Sequence, residues 1–97
     1  MSYMAIVSFA NTRTRRIFER QRVKEVGPDL TRMALKKLVM DHAAVQFDDL
    51  RLPPGNRLEA MSGDRIGQHS VRVNEQFRLC FRWDGRDAHD VELVDDH

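Results

Sequence analysis

Two runs of alternating character dominate the second half of the chain. In residues 77–83, FRLCFRW, the odd positions Phe77, Leu79, Phe81 and Trp83 are apolar, and Arg78, Cys80 and Arg82 take the even ones. In residues 69–74, HSVRVN, Val71 and Val73 alternate with Ser70, Arg72 and Asn74. Successive side chains of a strand point to opposite faces, so this period marks half-buried strands. Asn74-Glu75-Gln76 joins them as an antiparallel hairpin. If the apolar sides share one core, Arg72, Arg78 and Arg82 share the other face.

The same patterning extends outward. Residues 57–61 alternate, with Leu58 and Ala60 inward and Arg57 and Glu59 outward. Residues 89–95 form a last strand after an Asp84-Gly85 turn, with Val91 and Leu93 on one side and Asp90, Glu92 and Val94 on the other. Near the start, residues 5–9 read as a short strand of mostly apolar character, as in a central strand covered on both faces. Asn11 or Thr12 can cap a helix over residues 12–24. Gly27-Pro28-Asp29 restarts a second helix, since proline suits the first helical position and aspartate the positive end of the dipole. Its apolar stripe comprises Leu30, Met33, Ala34, Leu35, Leu38 and Val39, with Met33 and Met40 read as core filler. Residues 53–56, Pro-Pro-Gly-Asn, end the helical part with a sharp turn. Strand, helix, helix and four strands make an α+β fold with the helices on one face of the sheet.

Ninety-seven residues suffice for one domain spanning residues 1–97. Apolar and charged fractions of 41% and 32% are those of a soluble protein, and no run approaches the roughly 18 apolar residues of a membrane span. No signal peptide is expected, and Met4 is a second candidate initiator. The single cysteine, Cys80, excludes an internal disulfide framework and suits a reducing cytoplasm. Net charge is +1 but uneven: residues 1–47 hold nine Lys/Arg against four Asp/Glu, and residues 48–97 hold seven arginines and no lysine against eleven acids. Any anion contact in the second half therefore falls to arginine, the side chain suited to bidentate phosphate contacts. The arginines of residues 13–22 read first as a solvated basic face.

Metal and nucleotide chemistry find little support. His42, His69, His89 and His97 lack zinc-ligand spacing, no HExxH or CxxC occurs, and residues 63–67 are not a P-loop. What remains is an arginine-bearing sheet face with carboxylates and a histidine at the end of the chain. Metal-free RNA cleavage needs a base for the 2′-hydroxyl, cations for the phosphorane and an acid for the leaving 5′-oxygen. Arginine meets the second need and histidine either proton-transfer role. Solvated arginines paired with cross-strand acids would produce the same pattern.

Residues 57–83, RLEAMSGDRIGQHSVRVNEQFRLCFRW, with the closing DVELVDDH, resemble the HigB-type toxins of the RelE/ParE superfamily. That family's pattern is close to RLEALKGDRxGxxSIRINxQWRICFxW followed by DVEIxDYH, and a looser likeness extends to the opening strand, the helices and LRxPPGNRLE. The resemblance implies a RelE-like fold with a mixed, mainly antiparallel sheet. It implies a cytoplasmic, ribosome-dependent mRNA endonuclease that needs no cofactor or metal. It also implies a helix-turn-helix HigA-type antitoxin as partner, with DNA met only through that antitoxin. By position, Arg78 matches the phosphate-binding arginine, His97 the terminal catalytic histidine and Asp95 the aspartate opening the last triplet. Arg65 and Arg72 match positions suited to RNA contact, and Arg57 and Arg82 are further RNA-binding candidates. Two departures point to weakened activity: Ser62 stands where the family has lysine, and Asp96 where it has tyrosine. An attenuated or inactive homologue that acts by binding antitoxin is the alternative.

Overall fold

A computed structural model describes residues 5–44, 46–52 and 54–95. Helix α1 is Thr12–Phe18 and α2 is Pro28–Ala43; strands β1 to β4 are Glu59–Ala60, Gln68–Arg72, Phe77–Trp83 and Ala88–Asp95. The four strands form an antiparallel sheet in the order β1-β2-β3-β4. Val71, Leu79, Phe81, Val91 and Leu93 are at most 1% exposed and pack against Ile17 of α1 and Ala34 and Leu38 of α2. The fold is α+β, as the alternation implies.

The N-terminal segment departs from the sequence reading. Residues 5–10 lie at the sheet edge rather than in its centre, running parallel to β4 through bridges Ile6↔Ala88 and Phe9↔Val91. Val7 is accordingly half exposed. The pairing is broken because Asp90 adopts a left-handed conformation, φ 54°, and adds one residue to β4 where its register with β3 shifts. Its stranded N–H is taken by Ser8 Oγ at 2.9 Å. Further along the same edge, Thr14 Oγ1 accepts from Leu93 N–H at 2.9 Å, and Arg13 Nη2 donates to the Leu93 carbonyl at 2.8 Å. A strand edge left open would be a pairing hazard, and α1 closes this one with side chains. Arg13 thus belongs to the sheet rather than to a solvated basic face.

The helices also differ in extent. Asn11 caps α1 by accepting from Thr14 N–H at 2.9 Å, but the helix stops at Phe18, where Arg20 turns left-handed at φ 61°. Residues 21–27 then return without regular structure while burying Val23 and Val26. Helix α2 begins at Pro28 as expected, yet its buried side is narrow, limited to Ala34, Leu38 and Asp41, and Met33 and Val39 are about 40% exposed. Met33 is surface rather than core.

Candidate functional site

The arginine face of the sheet is organised in rows set by strand register. Arg72, Arg78 and Val94 are cross-strand partners; Glu59, Ser70, Cys80 and Glu92 form the next row; Gln68, Arg82 and His89 form the third. Contrary to an open face, its centre is dry. Ser70 and Cys80 are fully buried and Arg78 is 7% exposed. On the same face Arg65, at the end of the turn Gly63–Arg65, bonds Gln68 at 3.1 Å and pairs with Glu92, the cross-strand neighbour of Cys80, at 3.2 Å.

Arg78 is held from two sides. Its Nε donates to Ser70 Oγ at 2.7 Å, and its Nη2 donates to the Arg57 carbonyl at 2.8 Å with the Glu59 carboxylate 3.7 Å away. The Arg57 carbonyl reaches inward because Arg57 is left-handed, φ 46°, directly after the turn Pro54–Asn56. That turn is anchored by Asn56, itself 1% exposed, whose Nδ2 donates to the Leu50 and Leu52 carbonyls at 3.2 and 3.1 Å and whose Oδ1 accepts from Lys37 of α2. The network therefore runs from α2 through a turn to the arginine.

The other candidates are spread along the face. Arg72, directly opposite Arg78, sends its Nε to the Asn74 carbonyl at 3.1 Å. Two cations facing each other across a ladder repel, so this pairing suits a bound anion better than an empty surface. Arg82 sits at the far end, half exposed and bonded to Asp90 at 2.8 Å. The Arg57 side chain is exposed. Strand β4 ends at Asp95, next to Arg78, with Val94 opposite it. Asp95 pairs with Phe77 and has the parity of Leu93, so strand alternation directs its carboxylate to the core side, where Gln76 Nε2 bonds it at 3.0 Å. Asp96 and His97 lie outside the described residues.

Two features were missed from the sequence. One is Ser70, a polar position opposite Cys80 whose hydroxyl reaches diagonally to the arginine of the next row. The second is a pair formed by His89 Nε2 and Asp84 Oδ2 at 2.6 Å. Asp84 is held well below the usual carboxylate range, chiefly by the Asp87 backbone N–H, then by His89 and the Arg86 N–H. Among the described residues no three His, Cys, Asp or Glu side chains gather to hold a metal ion.

Comparison with known proteins matches this architecture. The model of the RelE-like toxin HigB of type II toxin–antitoxin systems covers residues 7–97. The chain belongs to that family. It is 50% identical over 48 residues to Toxin HigB-1 of Vibrio cholerae, a match spanning half of each chain. It is 32% identical over 69 residues to an uncharacterized protein of Haemophilus influenzae, covering 71% of this chain and 68% of that one. As a HigB-like toxin, the chain carries its buried arginine on the third strand of a four-stranded antiparallel sheet, with both helices behind the opposite face.

Proposed function

We propose that this HigB-like toxin is an endoribonuclease that cuts mRNA on the ribosome without a metal ion, and that it is silenced by a helix-turn-helix antitoxin. The carrying observation is the facing pair Arg72 and Arg78, with the Arg78 guanidinium fixed by Ser70 and the Arg57 carbonyl opposite Val94 near the end of β4. A guanidinium whose plane is set before substrate arrives can meet charge growing on a phosphorane without reorganising. Arg78 takes that role here, Arg72 and Arg65 engage neighbouring phosphates, and His97 moves the proton to or from the ribose or leaving oxygen. Asp95, bonded to Gln76, is assigned to orienting the terminal residues rather than to touching the phosphate. The protein would act in the cytoplasm, where its messenger substrate is translated.

The partner reading draws on a groove of about 550 Å³ between residues 22–27 and the first turns of α2. Val23, Val26 and Leu35 provide an apolar lining, and Arg22, Lys24 and Arg32 a cationic one, which suits an acidic segment of the antitoxin.

Expression without antitoxin should arrest growth and fragment translated messages. Arg78→Ala and His97→Ala should each relieve the arrest, and undiminished cleavage by both folded variants would refute the site. A second reading, a catalytically inactive homologue that acts by binding antitoxin, is favoured by the acids beside the cations: Glu59 near Arg78 and Glu92 on Arg65. Ser62→Lys with Asp96→Tyr should raise cleavage under the first reading and leave it at zero under the second.

A further inference from the structure

Arginine is long and populates many rotamers, so a site that depends on one guanidinium also depends on what holds it. In this chain the holding groups are unusually well defined. Ser70 is fully buried on β2, and its hydroxyl lies 2.7 Å from Arg78 Nε. The Arg57 carbonyl, from a left-handed residue, lies 2.8 Å from Nη2, a second nitrogen of the same plane. Two contacts at different nitrogens fix both the position and the tilt of a planar group, which one contact cannot do. The carbonyl is in turn set by the turn that Asn56 ties to Leu50, Leu52 and Lys37.

We infer that Ser70 and Asn56 are positioning residues for cleavage, with Ser70 gripping Arg78 directly and Asn56 presenting the Arg57 carbonyl to it. This rests on the proposed role of Arg78. Loss of the serine hydroxyl removes the contact at Nε and loosens the set of the guanidinium plane, which slows the chemical step while leaving ribosome binding intact.

Two measurements test this on the full-length protein. The first is NMR hydrogen exchange at the Arg78 Nε–H, which requires no activity. Slow exchange in the wild type and in Ser70→Thr, and at least tenfold faster exchange in Ser70→Ala, are expected; a fast-exchanging wild type would overturn the clamp. The second is single-turnover cleavage of mRNA on programmed ribosomes. Ser70→Ala should lower the rate constant ten- to a hundredfold with unchanged ribosome affinity, and Ser70→Thr should recover most of it. In an Arg78→Ala background, followed with enzyme in excess, Ser70→Ala should have no further effect, because the serine acts through the arginine. An equal loss in both backgrounds would overturn the inference, as would full cleavage by Ser70→Ala where Arg78→Ala is dead. Full cleavage by Arg78→Ala would instead remove the proposed site itself, and the inference with it.

Discussion

The two faces of β3 are almost equally dry but are filled by different chemistry. On one face Leu79 and Phe81 are fully buried among aliphatic side chains from both helices. On the other, Cys80 is fully buried and Arg78 nearly so, yet their neighbours are Ser70, Glu59, Glu92 and a backbone carbonyl. Non-directional burial holds the first face, and shape alone sets its cost. The second is held by oriented bonds to a cation whose desolvation must be offset at each nitrogen. A surface organised in that way is suited to positioning a charge rather than to adding stability.

The contrast can be broken first on the apolar side. Phe81→Ala removes a fully buried ring and should cost about 3–5 kcal/mol in denaturant melts. A loss below about 1 kcal/mol would mean that the core is not where the helices meet the sheet. On the polar side, Ser70→Ala leaves Arg78 Nε without its hydroxyl and should cost about 1–3 kcal/mol by the same melts. Its volume change is far smaller than that of Phe81→Ala, so the loss comes from the bond rather than from a cavity.

A third substitution concerns a polar group on the helix side. Asp41 of α2 is 1% exposed with Oδ2 unpartnered, and burial pushes its carboxyl up to about 8, against the opposing pull of Lys37. The folded chain therefore holds a proton that the unfolded chain, near 3.8, has released. Stability from this group is full below about pH 4 and is lost as pH rises to about 8. Asp41→Asn should flatten that slope and stabilise the protein at pH 8 by about 1–3 kcal/mol, read from melts across the range. The smallest effect is expected at the rim. Arg82 is half exposed and paired with Asp90, so Arg82→Ala should shift stability by no more than about 0.5 kcal/mol.

The strands of the central hairpin and the start of α2 were legible because local patterns determine them: period-two alternation for one, a Gly-Pro-Asp start for the other. The edge position of residues 5–10 was not, because an apolar pentapeptide reads alike in the centre of a sheet and at an edge that α1 completes. Nor was the end of α1 at Phe18, since Arg20 adopts a left-handed conformation that glycine would have signalled and arginine does not. The same holds for Asp90 and Arg57, two more left-handed residues without a glycine to announce them. On the arginine face, alternation puts Arg72, Arg78 and Arg82 on one side of the sheet, and the register sets Arg72 opposite Arg78 and Arg82 opposite Gln68. It could not show that the centre of the face is buried or that Arg65 pairs with Glu92 across it, because those two residues are 27 apart in the chain. The parity of Asp95, by contrast, was readable from Val91 and Leu93, and its pairing with Phe77 agrees with it.

The central claim is that Arg78 is fixed on the sheet to act on a phosphate. Its most direct test is ribosome-dependent cleavage of mRNA by purified Arg78→Ala, with circular dichroism establishing that the variant is folded. A fall of a hundredfold or more in cleavage rate by a folded protein is the expected result; cleavage at the wild-type rate would contradict it.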